Sequence, residues 1–120
     1  MTKGDVACVK VWEDEKYFAF LDQYPAKPGH TLLIPKKHTD YMFDLEDGEY
    51  EELMLKVKAL AKKLKLKLNP KRIGLVVEGF GVPHVHVHLI PINHARELNN
   101  IPTTLAEPSE LKKVAKIILE

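Results

Sequence analysis

The chain has 120 residues, of which 45% are hydrophobic and 29% charged, so it suits one globular domain with one core. Its net charge of +1, histidines neutral, gives no electrostatic case for binding long nucleic acid, although a small nucleotide needs only a local site. The single cysteine, Cys8, can form no internal disulfide, residues 1–5 show no signal-peptide core, and the apolar runs fall well short of the roughly 20 residues of a membrane helix; a cytoplasmic protein with no membrane contact is expected.

Residues 6–12 are rich in β-branched types and predict a strand. Asp14-Glu15 marks a turn into a second strand over 17–21, so the two form a hairpin. Residues 22–29 hold two prolines and a glycine and must be a loop. A third strand over 30–34 stops at Pro35, and 36–47 reads as mostly irregular. Tyr50, Leu53, Val57, Leu60, Ala61 and Leu64 then follow helical spacing, with Lys and Glu opposite, until Asn69-Pro70 ends the helix. A fourth strand over 73–77, a Gly-rich turn over 78–83 and a fifth strand over 83–90, closed by Pro91, come next. Residues 92–107 carry little pattern. Leu111, Val114, Ala115 and Ile118 define a short amphipathic helix over about 109–119, with Ser109 as its expected N-cap. Strands, helix, strands, helix, with short connections among the first three strands, describe an α+β domain: an antiparallel sheet with one long helix packed on one face.

The chemistry concentrates in His84-Val-His86-Val-His88-Leu-Ile. Alternation on a strand puts the three imidazoles on one face and Val85, Val87 and Leu89 on the other. A neutral imidazole is nucleophilic toward phosphorus when one ring nitrogen is free and the other is held, and neighbouring histidines can donate to phosphate oxygens. The turn just before, including Gly81 and Val82, can present backbone N–H groups to the same anion. The rival reading is a metal site, since His-x-His can chelate zinc; collinear residues on one strand, however, splay apart rather than converge on one ion, and no metal is expected.

This run resembles the His-φ-His-φ-His-φ-φ signature, φ apolar, of the histidine triad (HIT) superfamily. Trp12-Glu13-Asp14-Glu15, Phe18-Ala-Phe20-Leu-Asp22 and Pro28-Gly-His30-Thr-Leu-Leu-Ile-Pro35-Lys-Lys-His38 resemble family segments in the same order, so the likeness spans about 6–91, with the C-terminal helix an extension of a single domain over 1–120. The resemblance implies a five-stranded antiparallel sheet, a homodimer, and hydrolysis or transfer at the α-phosphorus of a purine nucleotide conjugate (a phosphoramidate or a dinucleoside polyphosphate) through a nucleotidyl-histidine. His86 would be the nucleophile, His84 would accept or relay an orienting hydrogen bond, His88 would contact phosphate or leaving group, and His30 would support His84 or the phosphate from the neighbouring strand. Asp22 would hold the ribose hydroxyls, while Phe20 with Val11 or Trp12 would line the base pocket. The paired cysteines that join the His38 position in a structural zinc site of some relatives are lacking, and no cofactor is implied. Where many relatives carry Asn before the Glu-Gly turn this chain has Val77, and the Gln or Ser before the triad is absent; His94 and Arg96 are candidates to replace phosphate contacts. The different-class alternative is a nucleotide- or metal-binding module with little turnover.

Overall fold

A computed structural model describes residues 9–78, 84–99 and 104–120. Strands β1 (Val9–Glu13), β2 (Tyr17–Leu21) and β3 (Thr31–Pro35) are followed by a 3₁₀ turn at Met42–Asp44, helix α1 (Asp47–Leu68), strands β4 (Arg72–Val76) and β5 (Val87–Ile92), and helix α2 (Pro108–Leu119). The five strands form one antiparallel sheet in the order β1-β2-β3-β5-β4. Cys8, the predicted strand residues 6–8 and the turn with Gly81 and Val82 lie outside the described residues.

Period-two alternation divides the sheet. Tyr17, Ala19 and Leu21 of β2, Leu33 of β3 and Val87 and Leu89 of β5 join the main core beneath the helices. Phe20, Leu32 and Ile34 form a smaller cluster with Phe18 on the opposite face. Helix α1 buries Leu53, Val57, Leu60 and Leu64, spaced to make one apolar stripe. The Glu49 side chain accepts the N–H of Glu46 at its start, and Asn69 in the left-handed conformation (φ 57°) followed by Pro70 ends it. Helix α2 buries Leu111, Ala115 and Ile118 and packs on β1 and α1.

Three expectations are corrected. Helix α2 begins with Pro108 at its first position and Glu107 as N-cap, so Ser109 lies inside the first turn: proline fixes a helical φ and lacks only an N–H that would have no partner there. Pro91 does not close β5 but lies within it, opposite Ile73 of β4; β3 pairs only with Val87 to Leu89, so proline's missing donor interrupts no ladder on that side. The fifth strand starts at Val87, leaving His84 and His86 ahead of the paired region.

Candidate functional site

The site is assembled where β2, β3 and β5 lie side by side. The Asp22 N–H donates to the His30 carbonyl (2.9 Å), extending the β2–β3 ladder and placing both side chains beside His88 of β5. Between them the 22–30 loop is tied down internally. Asp22 Oδ1 accepts the Tyr24 N–H at 2.9 Å, the His30 N–H donates to the Lys27 carbonyl at 3.0 Å, and Gly29 adopts φ 94° where a Cβ would overlap Leu68. His30 is thereby buried (5% exposed) and aimed across the sheet.

Hydrogen-bond chemistry assigns the protons. The Ala26 N–H donates to His30 Nδ1 at 2.9 Å, so the neutral ring carries its proton on Nε2. That nitrogen lies 2.9 Å from His88 Nδ1 and 3.5 Å from Asp22 Oδ2. His88 Nδ1 therefore accepts, and its own proton sits on Nε2. His86 Nδ1 lies 2.7 Å from the His84 carbonyl, which can only accept, so Nδ1 is protonated and Nε2 keeps an unshared pair. The His86 and His88 rings meet edge to face at 5.0 Å.

His84 takes a different path. Its Nε2–H donates to the Pro35 carbonyl at 2.8 Å, and its ring meets His38 at 5.0 Å. The Val85 N–H donates to the Thr39 carbonyl at 2.7 Å, pinning this segment to the chain leaving β3. His84 reaches His86 through its main chain, so the three imidazoles are not the uniform row that strand alternation predicts.

Burial favours the neutral form of two of these imidazoles, His88 and His30. His88 is pushed down to about 4 by burial, then by His30 and His86 beside it, against the opposing pull of Asp22. Burial likewise lowers His30, again opposed by Asp22.

The donor atoms of Asp22, His30 and His88 all lie within 4.8 Å of one another, a set from three separate chain segments that could converge on a metal ion. The tautomer argues otherwise. A zinc-bound Nε2 leaves the imidazole proton on Nδ1, where a metal-ligating histidine donates to an acceptor; His30 Nδ1 faces the Ala26 N–H, a donor. The atom His30 turns toward Asp22 and His88 is thus itself a donor, and the trio fits a hydrogen-bonded chain better than a ligand shell.

Of the base-pocket candidates, the structure brings Phe20 to the histidine face, ring-stacked with Phe18 at 5.2 Å. It places Val11 and Trp12 elsewhere. The β1–β2 register slips between Lys10 and Trp12, so Val11 is the extra residue of a bulge, and both Val11 and Trp12 turn toward the helices. Val11 is 1% exposed in the main core; Trp12 packs against that core with the Lys56 ammonium 5.6 Å from its ring centroid. His94 and Arg96 lie in an exposed turn after β5, where the Glu97 carboxylate accepts the N–H groups of Asn93 and His94, and neither side chain bonds to the histidine cluster.

Sequence reasoning missed two contributors. One is main chain: the Ala26 N–H and the Pro35 carbonyl have no side-chain signature. The other is α2. A cavity of about 200 Å³ is bounded by the 22–30 loop, including Asp22 and His30, and on the far side by Ala106, Glu110, Leu111 and Val114. No periodicity in the sequence says what α2 packs beside. Among the described residues no helix is long and apolar enough to cross a membrane.

Comparison with known proteins supplies context for this geometry. The HIT domain family model matches residues 3–95. The chain is 38% identical over 96 residues to an uncharacterized 16.1 kDa HIT-like protein of Mycoplasma pneumoniae, covering 76% of this chain and 67% of the relative. It is 36% identical over 97 residues to an adenosine 5′-monophosphoramidase of Schizosaccharomyces pombe, covering 76% and 69%. A crystal structure of a hypothetical histidine triad nucleotide-binding protein from Sulfolobus tokodaii superposes with a TM-score of 0.81 at 30% identity, covering 93% of this chain and 81% of that one.

Proposed function

This chain belongs to the HIT domain family, and on that premise we propose that it is a nucleotide hydrolase or transferase that cleaves purine nucleoside monophosphate conjugates, phosphoramidates first among them, through a nucleotidyl-His86 intermediate. The observation that carries the proposal is the bond from His86 Nδ1–H to the His84 carbonyl, because it commits the unshared pair to Nε2 and holds the ring in place. In this reading Nε2 attacks the α-phosphorus. The bond from phosphorus to the leaving group breaks, and the amine departs with the electron pair and a proton from solvent. Water then attacks the nucleotidyl-histidine, releasing the monophosphate and restoring His86. His88, neutral and donating from Nε2–H, binds the phosphoryl oxygens; His30 holds it in that tautomer. Asp22 accepts from the vicinal ribose hydroxyls, and Phe20 lies beneath the nucleoside. The backbone of Gly81 and Val82 is assigned to the phosphate by sequence position. The likeness to the adenosine 5′-monophosphoramidase of S. pombe supports a phosphoramidate substrate.

The test is chemical trapping. Incubation with adenosine 5′-phosphoramidate and rapid acid quench should give a nucleotidyl adduct on His86 by mass spectrometry. Binding of the nucleotide with neither adduct nor turnover would leave a binding module instead. In the same reading the protein is a homodimer: among the described residues β4 is an edge strand of the sheet, and Leu75 and Val77 stand exposed along and just beyond it. Sedimentation equilibrium checks that assignment.

A further inference from the structure

The net charge of +1 conceals a separation of charge along the chain. Residues 53–77 hold eight of the 18 Lys and Arg and none of the 17 Asp and Glu. They comprise most of α1 and all of β4, which pack together. Five of these cations, Lys58, Lys62, Lys65, Lys71 and Arg72, line a groove of about 270 Å³ between the helix and the start of the strand, with Ala61 and Ile73 half-buried among them. All five are exposed, and among the described residues none forms an ion pair with a carboxylate. Folding accounts for part of the cluster, since Lys65 and Lys67 stand in the last turn of α1, at the negative end of the helix dipole. That effect fades within a turn and does not reach Lys58 and Lys62, which repel each other as like charges four residues apart. Lys58, Lys62 and Lys65 lie on one face of the helix in a row about 10 Å long.

The groove flanks the edge of the sheet. Among the described residues β4 pairs only with β5. Leu75 lies opposite Leu89 of the main core, so Leu75 and, by alternation, Val77 point to the helix side, where both are exposed. The homodimer reading joins two such edges. Antiparallel edge strands of two copies are related by a two-fold axis perpendicular to the sheet, so both copies of α1 lie on the same side of the combined sheet and each groove faces its counterpart. Helices side by side pack about 8–10 Å apart, comparable with the Debye length of about 8 Å at physiological salt, so the two rows of lysine feel each other's charge. The edge therefore carries opposed terms. Exposed apolar side chains draw two copies together, and five unpaired cations from each push them apart.

We propose that the two facing grooves form one anion site, shared between the copies and filled by a linear polyphosphate, and that this anion decides whether the dimer assembles. The inference rests on the homodimer reading above and adds to it a ligand and a condition for assembly. Lysine ammonium and arginine guanidinium groups donate only, and phosphate oxygens only accept, so each cation gains a charge-assisted hydrogen bond. A phosphate chain carries its charges along a line, as the lysine row does, and it can bond to both copies at once. The groove lies on the helix side of the sheet, away from His86 and His88, and takes no part in bond breaking.

The experiment measures the monomer–dimer Kd of the full chain by fluorescence-detected sedimentation, at one fixed ionic strength, with no added anion, with inorganic tripolyphosphate or with AMP. Tripolyphosphate should tighten the dimer at least tenfold. AMP, which addresses the histidine site, should change it less than twofold. Lys62→Gln combined with Lys65→Gln removes two exposed charges from the groove. This double variant should dimerise more tightly than the parent without anion and should lose most of the response to tripolyphosphate. Lys112→Gln combined with Lys113→Gln removes the same charge from the exposed face of α2 and should respond as the parent does. A parent dimer indifferent to tripolyphosphate would overturn the anion site and leave the dimer reading standing. AMP as effective as tripolyphosphate, or a groove variant that responds in full, would overturn it too, because the effect would then arise elsewhere. A chain that stays monomeric in every condition would overturn both readings.

Discussion

The two faces of this sheet are made by the same strands and serve opposite ends. On the helix side, Val87 and Leu89 of β5 are at most 1% exposed and belong to the apolar core; on the other, His88 between them keeps hydrogen-bonding company with His30 and Asp22. A side-chain period of two lets stability and chemistry occupy adjacent residues without sharing contacts. Their responses to substitution should therefore separate, and each experiment below either widens that separation or breaks it.

The largest expected effect is on chemistry alone. His86→Ala should lower kcat/KM by about 10³-fold or more, as loss of a covalent nucleophile does, and leave the melting temperature nearly unchanged. A variant that kept its activity would sink the assignment. Leu89→Ala should do the reverse: a fully buried leucine replaced by alanine costs about 2–5 kcal/mol, which thermal unfolding reads as a fall of roughly 10 °C or more, with kcat per folded molecule intact. If activity fell in proportion instead, the faces would be coupled through the strand.

Asp22→Asn keeps the Oδ1 bond to the Tyr24 N–H and removes the charge. Losing a charged hydrogen-bond acceptor costs about 1.5–3 kcal/mol, so KM for the nucleotide should rise roughly 10- to 100-fold, with a smaller change in kcat. Equal losses in kcat and KM would move Asp22 from ribose binding to orientation of His30. Acid should act on the polar face through His88. Its folded value near 4 lies below the ordinary 6.5, so the unfolded chain binds more protons between those limits. Stability is then highest above about pH 6.5 and declines as pH falls toward 4; thermal melts of the parent should show this slope, and His88→Asn should flatten it. The smallest effect belongs to the helix side. Lys56→Ala removes a cation from the Trp12 ring and an exposed pairing with Asp14, together worth about 1 kcal/mol or less, and should shift the melt only slightly.

Much of this architecture is written locally. The span of β2 coincides with its prediction because apolar and β-forming residues fill it between turn signals, and α1 carries its own stripe and stop. Where expectation and structure part, the cause is a neighbour. The alternation of histidine and valine extends back to His84, but pairing begins only at Val87, and Pro91 is acceptable in β5 only because β3 has ended beside it. Val9 and Val11 turn inward as alternation directs, and the bulge that brings Trp12 to the same side is a property of the register with β2. In the candidate site, the histidines announce themselves by spacing. The approach of Ala26 to His30, of Pro35 to His84 and of α2 to the Asp22 loop depends on chain paths that no motif encodes.

The bonds that assign protons in this site also affect how it can change. His30, His84 and His86 each have a ring nitrogen fixed by a peptide group, at Ala26, Pro35 and His84 itself. Peptide groups are common to almost every residue. An alanine scan would therefore pass over the determinants of tautomer, and substitutions at position 26 could accumulate without altering which imidazole nitrogen is bare. Proline at 26, which abolishes the donor, is the one side-chain change that breaks this rule directly. The protonation pattern is inherited with the course of the backbone, and it persists for as long as that course does.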